Sequence, residues 1–354
     1  MKTSDRKLDH IRICLSEEVE SGYNGLEDVM LIHNAFPEFD FSKIETEIEF
    51  FNKKLSFPFL IASMTGGHEI AKEINANLAT AVENTGIGMG VGSQRAGIEK
   101  KELEDTFSVV REKAPNAFIY ANIGLAQVMK DPEIVDKAIE MIEADAIAIH
   151  LNVLQEAVMS EGEVIAGNFE ILSEICKSTK VPVIAKETGA GISREVAVKL
   201  RDVGISAIDV GGKGGTSFSA VEAHRSEDEV LKAVGFDFFD WGIPTAFCIV
   251  DCYKVLPVIA TGGIRNGLHV AKSLALGAVA ASSALPFLAQ AKVSASAVER
   301  LIERFRLGLK VAMFLTGARK VEELREKPIF ISGKLLEWMR FRKINIDEFC
   351  RGRR

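Results

Sequence analysis

Eight short apolar runs, most of them followed by a longer amphipathic segment, constrain the fold more than any other feature of this chain. They are FPFLIAS (57–63), GIGMGV (86–91), AFIYANI (117–123), AIAIHLN (146–152), VPVIAKE (181–187), SAIDVGG (206–212), LPVIATG (256–262) and AVAASSA (278–284). Runs this short and apolar read as buried strands, and the segments between them carry helical spacing. DPEIVDKAIEMIEA (131–144) is one of these, opened by an aspartate and a proline as helix starts often are. Strands alternating with helices imply parallel βα units, and eight units within roughly 250 residues predict a (β/α)8 TIM barrel. A doubly wound open sheet is the alternative, because counting strands does not prove closure.

The organisation expected is one domain over residues 1–354. It comprises an N-terminal substrate-binding or lid segment (1–56), the barrel (57–318) and a helical C-terminal extension (319–354). IETEIEFF and KKLSF, on either side of Asn52, predict a two-stranded lid over one barrel end. Between the sixth and seventh runs lies a long insertion, residues 216 to about 244, holding the charged EAHRSEDEVLK and then FDFFDWGIPT. Loops of that length are functional or disordered. Trp338 and Phe341 form an aromatic patch in the tail, suited to packing on the barrel or on a neighbouring subunit.

Composition narrows the function classes. At 47% hydrophobic the 354 residues can bury a large core, and a net charge of -7 argues against a general nucleic-acid or anionic-membrane role. The basic RGRR at 351–354 is too short to change this and reads as a solvated terminus. MKTSDRKLDH has no apolar stretch of the kind a secretory signal needs. Residues 273–291 carry no charge, but Gly277, paired serines and Pro286 interrupt them, so they read as a helix end, a strand and a loop. Of the five cysteines, Cys248 and Cys252 lie four apart without the further ligands zinc requires. Free buried thiols in the reducing cytoplasm follow.

The chemistry concentrates at the ends of the runs. Successive runs lead into MTGG (64–67), GSQRA (92–96), Asn122, HLNVLQE (150–156), Lys186, GGKGGTS (211–217), TGGIR (261–265) and SALP (283–286). The C-terminal strand ends of such a barrel carry its active site, with a phosphate site often beside strands seven and eight. Glycines there let backbone N–H groups converge on phosphate oxygens, and Thr216 adds a hydroxyl. Tight turns alone would explain either glycine loop singly. Lys186 ends an apolar strand, where it is either ion-paired to Glu187 or held as a functional charge; Schiff-base chemistry would leave the rest of the rim unexplained. Glu156 beside Gln155 reads as a surface carboxylate unless a phosphorylated substrate completes a Mg2+ site. Arg6, Lys7 and His10 by themselves read as a solvated face.

In order and number, RKLDH, MTGG, GSQRA, HLNVLQE, KETGAGIS, GGKGGTSF, WGIPT and TGGIRNG resemble the type 2, FMN-dependent isopentenyl diphosphate isomerases, from about residue 5 to at least 287. The resemblance implies a barrel holding reduced FMN and Mg2+, with NAD(P)H as reductant, that interconverts isopentenyl and dimethylallyl diphosphate. Met64, Thr65, Gly66, Ser93 and Asn122 would line the flavin, and Lys186 would sit at its pyrimidine edge. Thr216, Gly262, Gly263, Arg265, Ala284 and Leu285 would hold its ribityl phosphate. Arg6, Lys7, His10, Ser93, Gln94 and Arg95 would bind the substrate, chiefly its diphosphate. Gln155 would face the substrate and Glu156 would hold Mg2+; Gln155 and Lys186 are the catalytic candidates. The reaction adds a proton at one carbon and removes one from another, a task for an electron-rich reduced flavin. A homotetramer or larger assembly is implied.

Val153, Phe218 and His269 depart from the family's frequent proline, tryptophan and aspartate. An FMN-dependent 2-hydroxy-acid oxidase or dehydrogenase is the competing enzyme, but it would need a histidine base after a late strand, where DVGGKGG has none. A non-catalytic phosphate-ligand-binding barrel is the other alternative, and it would not need Gln155, Glu156 and the N-terminal cations together.

Overall fold

The computed structural model describes residues 3–351, so RGRR beyond Arg351 lies outside the described residues. All eight apolar runs become strands: β1 (Phe59–Ile61), β2 (Gly88–Gly90), β3 (Phe118–Gly124), β4 (Ala146–His150), β5 (Val183–Lys186), β6 (Ala207–Asp209), β7 (Val258–Ala260) and β8 (Ala280–Ser283). Each pairs in parallel with its chain neighbour, and β8 pairs with β1 through Ala281↔Phe59 and Ser283↔Ile61, which closes the barrel. The open-sheet alternative is thereby excluded.

Strand alternation sorts the side chains into two cores. Phe59 and Ile61 face the surrounding helices, while Leu60 points inward with Phe118, Tyr120, Ile184 and Ile259. Many inward positions are small, among them Ala146, Ala148, Ala207 and Ala280, and the space they leave is filled by Phe50 and Leu55. Those two come from the antiparallel hairpin Ile48–Phe50 and Lys53–Leu55. Phe50 packs edge-on against Phe118 at 5.2 Å, and burial of each large apolar side chain contributes about 1.5–3 kcal/mol.

The hairpin therefore plugs the end of the barrel where the strands begin, and it does not cover the polar rim. Covering falls instead to α1 (Thr3–Ser16), whose Arg6, Lys7 and His10 reach the opposite, C-terminal mouth.

At that mouth α2 (Val153–Val158) follows β4 almost at once. The long insertion is no irregular loop. It folds into α3 (Phe218–Arg225), capped by Ser217, and α4 (Glu229–Asp237), whose first N–H groups bond to Asp228. TSF and SEDE are start signals that the charge density of the segment obscures. Residues 273–291 likewise end in a helix, Leu285–Ala291, and not in a loop. Among the described residues no helix is long and apolar enough to cross a membrane.

The tail docks on the barrel. Ile329–Ile331 pairs antiparallel with Val29–Leu31. Beyond α5 (Thr245–Cys252), α6 (Gly333–Phe341) sets Trp338 against Phe247 at 5.4 Å and its indole N–H on the buried Asp251 at 3.3 Å. Arg342 joins Asp251 to Glu195. Phe341 points outward.

Candidate active site

A cavity of about 210 Å3 opens at the C-terminal ends of the strands, and every strand end contributes to its wall. Residues thirty or more apart along the chain meet there because closure converts chain order into a ring. The wall includes Met64, Thr65, Ser93, Arg95, Asn122, Gln155, Glu156 and Lys186. It continues through Thr216, Gly262, Gly263, Arg265, Ala284 and Leu285, and α1 roofs it with Arg6, Lys7, His10, Ile11 and Cys14.

Two predicted residues do not line it. Gln94 is wholly buried beneath the rim, where its amide donates to the Ala138 carbonyl and accepts from the Asn122 N–H. Gly66 backs onto Phe107, whose ring occupies the space a Cβ would need.

The glycine-rich loops make their closest approach to the protein's own backbone. A Cβ on Gly212 would lie 2.5 Å from the Thr245 Cα, and one on Gly215 would lie 2.5 Å from the Gly263 nitrogen. A Cβ on Gly262 would overlap the Gly212 carbonyl. Glycine thus lets the loops after β6 and β7 pack main chain on main chain and present backbone to the cavity. The stretch after α1 braces them: Ser21 N–H donates to the Gly215 carbonyl at 2.9 Å and Asn24 to the Gly263 carbonyl at 2.8 Å. Arg265 is tied to Glu20 at 2.6 Å.

Buried polar atoms without a partner among the described residues cluster on this wall. Ser63 Oγ, Thr65 Oγ1, Asn122 Oδ1, Thr261 Oγ1, Ser282 Oγ and both ring nitrogens of His150 belong to residues that line it. Unsatisfied buried groups are costly, about 1–3 kcal/mol each, so their convergence marks a surface shaped for a polar ligand. Burial, then the charges of Lys7 and Lys186, hold the His150 pKa down at about 3, so its imidazole is neutral.

Lys186 is paired, but not to the Glu187 carboxylate. Its Nζ lies 3.1 Å from Asp209 Oδ2 on the adjacent strand and 3.2 Å from the Glu187 carbonyl. Glu187 Oε2 instead accepts N–H groups of Thr188, Ala190 and Gly191.

The centre of the polar cluster is a residue that sequence reasoning passed over. Glu222 of α3 is 1% exposed; its Oε1 takes His10 Nε2 at 2.9 Å and Gln155 Nε2 at 2.8 Å, while Oε2 takes Arg225 Nε at 2.8 Å. Burial alone would raise its carboxyl, but His10, Gln155 and Arg225 outweigh that and hold it at about 2. The carboxylate is acceptor-only, so a neutral His10 must carry its proton on Nε2. Asn152 Nδ2 donates to Gln155 Oε1 at 2.9 Å and completes the orientation of that amide. Edge-on to His10, at 6.0 Å, stands the ring of Phe218.

At the rim, Glu163 shares its carboxylate between Arg95 at 3.4 Å and Lys130 at 2.6 Å, and its N–H donates to Glu156 Oε2 at 2.8 Å. Burial raises the Glu156 pKa. Burial and adjacent Arg6 lower the Lys7 ammonium to about 8.

The closed barrel and the polar cavity at its strand ends are those of a ligand-binding (β/α)8 protein. The family model for FMN-dependent dehydrogenases matches residues 149–330, and the chain belongs to that family. Within it, this chain is a member of the isopentenyl-diphosphate delta-isomerases, an isomerase family. It is 67% identical to the Archaeoglobus fulgidus protein of that name over 97% of this chain and 100% of the relative. It is 49% identical to that of Methanosarcina barkeri over 98% and 97% of the two chains. A solved mandelate oxidase structure superposes with TM-score 0.65 at 19% identity over 94% of this chain and 100% of that one, a likeness of fold alone.

Proposed function

We propose that this protein interconverts isopentenyl diphosphate and dimethylallyl diphosphate, using reduced FMN and Mg2+ bound in the cavity and a nicotinamide nucleotide to reduce the flavin. The observation that carries the reading is the division of one cavity between a barrel wall of unpartnered polar groups and a cationic roof. A flat ring with alternating donor and acceptor edges suits Thr65, Ser93, Asn122 and Lys186. The backbone of Gly262, Gly263, Ala284 and Leu285, with Thr216 and Arg265, suits its phosphate. The residues fit the cofactor.

Bound reduced FMN supplies an electron-rich ring able to give or take a proton. The protein's part is placement and shielding. Arg6, Lys7 and Arg95, with Ser93, would hold the diphosphate, and Glu156 would be the carboxylate that holds Mg2+. The hydrocarbon end offers no polar handle, so Ile11 and Phe218 bound it and exclude water. His10 and Gln155 are fixed by Glu222 beside that apolar wall, and Lys186 would present its ammonium to the bound ring. A proton enters at one carbon and leaves from another, with no net redox change.

Oxidation of a 2-hydroxy acid is less well supported. His224 on α3 packs its ring on Phe236 at 5.1 Å and does not line the cavity. The same reading places the protein in the cytoplasm as a homo-oligomer, tetramer or larger, which sedimentation tests. Anaerobic incubation of purified protein with isopentenyl diphosphate, FMN, Mg2+ and a reductant should yield dimethylallyl diphosphate. Absence of that product would reject the proposal, and bleaching of oxidised flavin by a 2-hydroxy acid would favour the oxidase.

A further inference from the structure

The geometry points to Asp209 as the positioning residue that keeps Lys186 charged and aimed at the flavin, an inference that rests on the FMN reading above. Lys186 ends β5, Asp209 ends β6, and the parallel register sets them directly opposite one another. Their side chains are 8% and 2% exposed, with Nζ and Oδ2 3.1 Å apart. Lys186 lines the cavity and Asp209 does not, so the aspartate acts on a ligand only through the lysine.

Among the described residues no other carboxylate forms an ion pair with Lys186. On β4 the register partner is His150, which is neutral. Next in sequence is Glu187, whose carboxylate is held by three backbone N–H groups while only its carbonyl meets Nζ. From α1 come Lys7 and Arg6, both cations. A buried ammonium without an anion gives up its proton more readily. Asp209 supplies that anion and at the same time cancels the net charge. What a bound flavin would meet is the positive end of a buried ion pair, anchored on adjacent strands, and not a free cation.

Asp209 Oδ1 has no partner among the described residues, so this carboxylate is under-satisfied for a purely structural role. A lysine held only for packing would be served as well by the Glu187 carbonyl, without a second buried charge.

The test is the midpoint potential of FMN bound to the purified protein, followed between about pH 6 and 9. Asp209→Asn should add a break in the potential-against-pH curve where Lys186 loses its proton, beyond those that Lys7, brought down to about 8, and Glu187, pushed up to about 7 by burial, give the wild type. Above that break the curve should join that of the double variant Asp209→Asn/Lys186→Met, in which both charges are gone. Asp209→Glu should remove most of the added break. The double variant Asp209→Asn/Lys186→Met, which leaves no orphaned charge, keeps the question open to test if the single variant folds poorly. It should lack the added break. An Asp209→Asn curve parallel to the wild type, or effects of the two substitutions that add, would overturn the inference. A wild type that binds no FMN would overturn the flavin reading itself, and this inference with it.

Discussion

Glu222 Oε1 lies 2.9 Å from His10 Nε2 although the two residues are 212 positions apart in sequence. That contact joins α1 to α3 across the mouth, and through Gln155 it also reaches the helix after β4. One carboxylate thus couples the roof of the cavity to the residue that would face the substrate.

Replacing Glu222 with Gln keeps the shape and removes the charge that orients both donors. We expect kcat to fall by roughly 10²-fold, the lower range of general acid–base contributions. Affinity for inorganic diphosphate should stay within about twofold. Steady-state kinetics beside a direct binding assay separates the two, and an unchanged kcat would remove Glu222 from the mechanism.

The same residue makes stability depend on pH. Its folded-state pKa, about 2, is below the ordinary 4.5. Its stabilisation is therefore complete above pH 4.5 and is lost as pH falls toward 2. Melting temperatures of the wild type and Glu222→Gln should differ most at neutral pH and converge toward pH 3. A gap that does not narrow would show that packing, and not charge, carries the effect.

Lys7 titrates near pH 8 in the free protein. Protonated below that value and neutral above it, it should bind diphosphate more weakly as pH rises through 8, and binding near pH 8.5 should take up protons. Calorimetry in buffers of different ionisation enthalpy measures this. Lys7→Arg, whose charge does not titrate, should flatten the dependence.

Glu163 would compete with an anionic ligand for Arg95. The Arg95 side chain is 30% exposed and the separation is 3.4 Å, so the pair contributes little, about 0.2–1 kcal/mol. Glu163→Gln should lower KM by roughly two- to fivefold with kcat unchanged. A raised KM would mean that the carboxylate supports the site.

Glu156→Gln should weaken the dependence of turnover on Mg2+ while the protein stays yellow. Loss of bound flavin would assign that carboxylate to a different part of the cavity.

Much of the barrel was legible because buried strands and amphipathic helices leave local patterns, and glycines, amides and cations stand at the ends of the apolar runs. Less visible was the direction in which a side chain points. Gln94 sits within the most distinctive rim motif yet turns inward, because the Ala138 carbonyl and the Asn122 N–H lie beneath it. Asp209 could have been noticed as a carboxylate inside the apolar SAIDV, but nothing local pairs it with Lys186. Glu222 was hidden in a charged run that resembles a solvated surface.

By itself the order of residues determined the period of the elements, the ring of polar strand ends and the family, since each is written in short stretches of chain. Only the tertiary structure decided which end the hairpin plugs, which carboxylate neutralises Lys186 and which one holds His10. Those partners are set by strand register and by a helix folding back over the mouth, and electrostatic pairing depends on distance through space, which spacing along the chain does not encode.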